Sequence, residues 1–213
     1  MNYPPKDHQD TDRNHLISVI KNYPLATVIS VLNNEPIVTH IPLIYKNNEL
    51  IGHIDANNPH AELLKNGNKV TLIFSGPQCY ISPSIYITKQ LPTWNYVKVH
   101  IEGVVFEIEN PDHIKESMVD MTKYLEEPEH KFQLDYSDPR MDMYVPYVRG
   151  FKITITQWEG KFKLSQNRNM KDFELAKAEM VKRNQADLSA FLKLFYRIFC
   201  YRSVHLKLTK MIV

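Results

Sequence analysis

GPQCYISPSIYITKQLPTWNYVKVH, residues 76–100, sets Pro77, Pro83 and Pro92 among Tyr80, Tyr86, Trp94 and Tyr96. Proline locks φ and biases the residue before it toward extended geometry, so Ser82 and Leu91 are expected to be held in one conformation. The stretch predicts a fixed loop presenting hydroxyls, amides and flat rings together, which is the chemistry a planar ligand needs. The competing reading is a packing corner in which the aromatics plug the end of a barrel.

Working outward, residues 25–32 and 36–45 are apolar or β-branched runs joined at Asn33-Asn34, and asparagine tolerates positive φ, so the pair predicts a hairpin. A second turn at Asn47-Asn48 leads to a strand over 50–54. Asn58-Pro59 opens a short helix that closes near Asn66-Gly67, with a strand over 70–75 beyond it. Residues 96–108 predict a long strand, with Val97, Val99 and Ile101 on one face and Lys98, His100 and Glu102 on the other. Helices are expected over 10–23, stopping before Pro24, and after the cap Asn110-Pro111, where Ile114, Met118, Met121 and Leu125 recur at helical spacing. Beyond the polar residues 126–140, a strand returns over 148–157, Glu159-Gly160 reads as a turn, and Asn169 starts a last helix. Six strand-like segments without a βαβ repeat predict a mainly β fold with peripheral helices, an antiparallel barrel.

Composition bounds the rest. With 43% hydrophobic residues, 213 positions can bury one substantial core. Cys79 and Cys200 lie too far apart in sequence for a metal knuckle and form no disulfide framework, which fits a reducing cytoplasm. The start, MNYPPKDHQDTDRNH, has no basic segment followed by an apolar core, and no run is long enough to span a membrane, so a soluble intracellular protein is expected. The formal charge of +2 hides an asymmetry, because five basic and no acidic residues follow Asp187. Residues 1–187 carry 21 Lys and Arg against 24 Asp and Glu, a net of −3 and a poor match for neutralising DNA phosphates.

GPQCYISPSIY followed by LPTWNYVKVHIEG, with THIPL at 39–43, GHIDANNP at 52–59 and GKFKLSQNR at 160–168, resembles the PaiB family of FMN-binding negative transcriptional regulators. The blocks fall in order over residues 1–182. The resemblance implies an FMN-binding split β-barrel, related to pyridoxamine-phosphate oxidase, in a homodimer whose subunits build two flavin sites at their interface. It implies a negative regulator that binds flavin without turnover, and the net charge of −3 over residues 1–187 means that regulation need not involve DNA contact. A flavin-dependent oxidoreductase or flavin reductase is the alternative, and a relative that has lost the cofactor is a third. Residues 183–213 form a basic extension outside the resemblance. There Leu188, Phe191, Leu192, Phe195, Ile198 and Phe199 make an apolar stripe beside Lys193, Arg197 and Arg202. It suits a helix packed on its own barrel or across the dimer, with a membrane surface or acidic partner as alternatives.

The candidate cofactor residues follow from these blocks. Thr39 and His40 belong to THIPL but lie on opposite faces of a strand, and strand histidines mostly pack. His53 and Ile54 end a strand before Asn58, where free amides at a strand-to-helix turn would meet the FMN phosphate. His53-x-Asp55 lacks a third metal ligand. Ala56 stands where relatives often carry a basic residue, so Lys163 or Arg168 (or Lys161), contributed by the partner, would supply the charge. Trp94, Tyr96 and Tyr80 are the expected stacking surfaces, and Asn95, Ser82, Ser84 and Gln166 the hydrogen-bonding groups for the flavin edge. No serine, cysteine or lysine shows an activating base in the sequence, so no catalytic residue is assigned.

Overall fold

A computed structural model of the protein describes residues 5–184. The apolar stripe of 188–199 lies outside the described residues. The elements are β1 (Gln9–Asp10), α1 (Arg13–Asn22), β2 (Leu25–Leu32), β3 (Glu35–Pro42), β4 (Ile44–Lys46), β5 (Glu49–Asp55), β6 (Lys69–Ile81), β7 (Thr93–Ile108), α2 (Pro111–Leu125), α3 (Pro139–Tyr144), β8 (Val148–Lys163) and α4 (Met170–Asn184). Strand order is β3-β2-β6-β7-β8-β5-β4, with β1 also on β8, and β2 pairs antiparallel with both β3 and β6. The chain forms two compact units. The first holds residues up to His15, Gly76–Val97 and the chain from Gly160; the second holds Leu16–Ser75 and Lys98–Glu159.

Both asparagine pairs make the turns expected of them. Asn33 and Asn34 have φ of 52° and 68°, Asn47 and Asn48 of 52° and 64°, the doubly left-handed geometry whose twist matches flanking antiparallel strands. Leu32 therefore faces Glu35, and Lys46 faces Glu49. In the second unit Val28, Leu72, Val99, Ile101, Phe151 and Ile153 point inward and are fully buried, together with Val19 and Ile20 of α1. Each such side chain contributes about 1.5–3 kcal/mol through burial.

Three expectations change. The stretch 76–100 is strand at both ends, and only 82–92 connects β6 to β7. Alternation holds within the two strand ends, with Cys79, Ile81, Asn95 and Val97 buried and Gln78, Tyr80 and Trp94 exposed. Gly76 lets the strands approach, since a Cβ there would sit 3.1 Å from Val97 Cγ1. Glu159-Gly160 makes no turn, because β8 runs on to Lys163 and the buried Gly160 is where Asp10 of β1 pairs. The polar region after α2 leads into α3, capped by Asp138, which accepts from the Arg140 N–H at 2.9 Å.

Candidate functional site

The turn after β5 is held from within. Asp55 accepts from the Asn57 N–H at 2.7 Å, Ala56 donates to the Tyr147 carbonyl at 2.8 Å, and Asn58 donates to the Asp55 carbonyl at 3.0 Å. The Asn58 side chain caps the short 3-10 turn Pro59–Leu63 by accepting from the His60 N–H at 3.0 Å, while Ala61 donates to the Asn58 carbonyl at 2.8 Å. Pro59 has no N–H. Every backbone donor from Ala56 to Ala61 already has a partner, Ala56 on Tyr147 and the rest within the turn, so the open anion cradle expected of it does not form. The cause is side-chain chemistry: Asp55 and Asn58 accept the donors a phosphate would need.

His60, just beyond the block singled out in the sequence, is the centre of this region. Its ring is fully buried, with Nε2 2.8 Å from Ser30 Oγ and Nδ1 2.9 Å from Thr39 Oγ1. Burial lowers its pKa, so near pH 7 one ring nitrogen donates and the other accepts. Thr39 is half-buried and His40 exposed, as alternation requires. Ile54 is a core side chain. His53 lies on the other face of β5. Its buried Nδ1 has no hydrogen-bond partner among the described residues, and burial lowers its pKa. Among the described residues no three His, Cys, Asp or Glu side chains gather into a metal site.

The second unit also carries a groove of about 740 Å³ over β2, β6, β7 and β8. Ile29, Val31 and Val104 supply apolar wall, and Lys69, Thr71 and Thr156 supply polar groups. None of these six is buried, in contrast to the inward residues of the same strands.

In the first unit, Tyr80 and Trp94 face outward with ring centroids 6.4 Å apart, and Trp94 is 51% exposed. Tyr96 follows on the Trp94 face, half-buried. Asn95 points the other way and is fully buried. Its amide nitrogen and oxygen lie 3.0 and 3.1 Å from Ser165 Oγ, which Tyr86 approaches with its hydroxyl at 3.2 Å. Ser82 accepts from the Ser84 N–H at 3.2 Å and meets the Ser84 hydroxyl at 2.8 Å, capping the turn Pro83–Ile85. Gln166, expected at a flavin edge, uses its amide locally. It accepts from the Leu164 N–H at 2.6 Å and donates to the carbonyls of Asp7, at 2.5 Å, and Phe162.

Burial first, and then the Lys163 ammonium, lower the pKa of His8. The buried Arg168 Nε has no hydrogen-bond partner among the described residues. Asp172, fully buried at the start of α4, accepts from the Ile87 N–H at 2.8 Å, the Asn169 amide at 2.9 Å and the Thr88 hydroxyl, tying the 82–92 connection to the helix. Burial opposes its ionisation, but these donors together outweigh it and hold the carboxyl below its ordinary value.

The candidates thus separate by unit. Thr39, His40, His53, Ile54 and Asn58 lie in the second; Tyr80, Ser82, Ser84, Trp94, Asn95, Tyr96, Lys163, Gln166 and Arg168 lie in the first. Ser30, His60 and Lys69 escaped the sequence reading. Nothing local marks them, since their surroundings come from elements twenty or more residues apart in sequence.

A family model described as "Putative FMN-binding domain" matches residues 2–157. The "Protease synthase and sporulation protein PAI 2" of Bacillus subtilis (strain 168) is 29% identical over 176 residues, covering 80% of this chain and 85% of that one. Among solved structures, the FAD and heme binding protein from Mycobacterium smegmatis superposes with a TM-score of 0.60 at 18% identity, covering 73% of each chain. The flavocytochrome Anf3 from Azotobacter vinelandii gives 0.59 at 15%, covering 73% of this chain and 69% of that one. At such identities the likeness is one of fold: the mainly antiparallel split barrel expected from the sequence.

Proposed function

The chain belongs to the family of FMN-binding domains whose model spans residues 2–157, and from that premise we propose that it is an FMN-binding regulator of the PaiB type. It acts negatively on transcription without itself contacting DNA. The similarity to PAI 2 across 80% of the chain carries this reading. The groove of the second unit supports it chemically. FMN brings a phosphate dianion, a hydroxylated chain and a flat apolar ring, and its volume suits pockets of about 300–1,000 Å³. Lys69, which makes no ion pair among the described residues, would meet the phosphate. Thr71 and Thr156 would hold the hydroxylated chain, with Ile29, Val31 and Val104 against the ring. When bound, FMN supplies redox chemistry; the chain supplies position and polarity. The outward rings of Tyr80, Trp94 and Tyr96, with Lys163 and Arg168, are a second proposed contact surface, in the first unit.

Homodimerisation is proposed for the outer face of β2 and β3. Rows Leu25–Pro42, Ile29–Val38 and Val31–Pro36 make it largely apolar around the polar pair Thr27–His40, with Leu25, Val31 and Val38 exposed. A flat face of this kind suits a two-fold pair. Equilibrium dialysis of the full chain against FMN at about 0.1 mM protein tests the binding reading, with retention expected and none overturning it. Lys69→Ala is expected to weaken binding by about tenfold or more, the worth of one charged hydrogen bond. Loss of the oxidised-flavin absorbance on anaerobic addition of NADH would favour the oxidoreductase reading instead.

A further inference from the structure

Beyond Leu125 the chain folds back along α2 and leaves an open cavity of about 460 Å³ against the helix. Both ends of the return are tied down. The His130 N–H donates to the Glu126 carbonyl at 2.7 Å and the Phe132 N–H to Glu126 Oε2 at 3.2 Å, holding the segment at the end of α2. At the start of the helix the Tyr136 hydroxyl donates to Asp112 at 2.8 Å, and the Lys115 ammonium lies 5.4 Å from the centre of the Tyr136 ring. The walls are therefore set before any ligand arrives, which lowers the ordering cost of binding. Val119 and Lys123, one turn apart on α2, form one wall, and His130, Phe132, Gln133 and Leu134 form the other. Val119 and Leu134 are half-buried, while Phe132 is left 50% exposed. The side chains of Lys123, His130 and Gln133 make no hydrogen bond or ion pair among the described residues. None of the six lining residues is acidic. Glu126 is engaged by the Phe132 N–H, and Asp135 accepts from the N–H and hydroxyl of Ser137.

We propose that this cavity binds a small aromatic monocarboxylate. The carboxylate meets the Lys123 ammonium, with N–H groups of the His130 ring and the Gln133 amide as further donors, and the aromatic ring lies against Phe132, Val119 and Leu134. A carboxylate suits this wall because it only accepts hydrogen bonds and carries the one charge that a single ammonium balances. A cation would be repelled by Lys123, and a phosphate dianion would leave charge uncompensated beside apolar side chains. An uncharged aromatic molecule would leave the ammonium without a partner, so the site reads charge and ring together. The volume falls within the range of about 300–1,000 Å³ common to small-molecule sites. The cavity shares no lining residue with the groove over β2, β6, β7 and β8, so the two sites are filled independently.

The test is equilibrium dialysis of the full chain against 2-naphthoate, with 2-naphthol as the uncharged analogue of the same ring, each measured with and without FMN. Retention of 2-naphthoate with a Kd of about 0.1 mM or below is expected, unchanged by FMN, and 2-naphthol is expected to bind at least about tenfold more weakly. Lys123→Gln is expected to weaken 2-naphthoate by about tenfold or more and to leave 2-naphthol unaltered, whereas Phe132→Ala is expected to weaken both. Lys123 and Phe132 are exposed, so both variants keep the fold. That split separates recognition of the charge from adhesion of a ring to an apolar surface. No retention of 2-naphthoate, equal retention of 2-naphthol, displacement by FMN, or an unchanged Kd in Lys123→Gln overturns the proposal. FMN retention is read separately, so failure here leaves the flavin reading standing.

Discussion

Trp94 and Asn95 are neighbours in sequence with opposite surroundings, and their substitutions should part accordingly. Trp94 is half exposed, so Trp94→Ala is expected to leave the unfolding free energy within about 0.5 kcal/mol in urea titration, and a drop in FMN retention would then report a lost contact. Asn95 is wholly buried against Ser165, so Asn95→Ala is expected to lose about 1–3 kcal/mol, because a buried hydroxyl loses its partner. Trp158, edge-on to Tyr45 with centroids 6.1 Å apart, is the matched control, and Trp158→Ala should lower stability without lowering FMN retention in the folded protein. The histidines give a pH signature. His53 and His60 have folded-state pKa values lowered by burial, whereas in the unfolded chain each titrates near 6.5. Between those values the unfolded state holds more protons. Their contribution is fully present above about pH 6.5 and is lost as pH falls toward the folded values. The urea midpoint should therefore decline from about pH 7 to pH 5, and an unchanged midpoint would contradict the burial of these rings.

At the scale of elements, β7 lies so close to β8 that Gly103 has no room for a side chain. A Cβ there would fall 2.9 Å from the Thr154 carbonyl oxygen and closer still to Ile153 Cγ2. Backbone cannot give way as a side-chain tip can, so Gly103→Ala is expected to destabilise by about 1–3 kcal/mol in urea titration, the range for overpacking. The 82–92 connection depends on Asp172. Its folded pKa is depressed, so its contribution is present above the unfolded carboxyl value and lost as pH falls through the folded one. Asp172→Asn keeps the shape but removes the charge, and hydrogen exchange at Ile87 and Thr88 should quicken while amides of β7 stay protected. The hairpin turns, the caps Asn58, Asn110 and Asn169, and the strand 25–32 were all legible in the sequence, because asparagine geometry and period-two alternation are local. The long strands β6 and β8 were underestimated because the proline-rich stretch from Gly76 and the pair Glu159-Gly160 read locally as loop and turn, whereas pairing with neighbouring strands carries both on, with Gly76 admitting Val97 and Gly160 pairing with Asp10.

For the whole molecule, the expected behaviour is a dimer whose body ignores DNA. Residues 1–187 carry a net of −3, and phosphate neutralisation needs clustered cations. A chain truncated after residue 187 should sediment as a dimer and leave duplex DNA unshifted at about 0.15 M salt. A sedimenting monomer would refute the apolar β2–β3 face as its interface, and a shifted duplex would refute the indirect mode of regulation. No helix among the described residues is long and apolar enough to cross a membrane.

The family and its flavin were carried by contiguous sequence blocks, and so was the mainly β architecture, because turn chemistry and alternation act over a few residues at a time. Tertiary structure decided which side chains within those blocks are available to a ligand. Gln166 and Ser82 look like free polar groups in sequence but spend their hydrogen bonds on neighbouring backbone or hydroxyl groups. Folding likewise brought Ser30, Thr39 and His60 within 3 Å contacts across two strands and a turn. Hydrogen bonding depends on distance in space, and a sequence orders residues only along the chain.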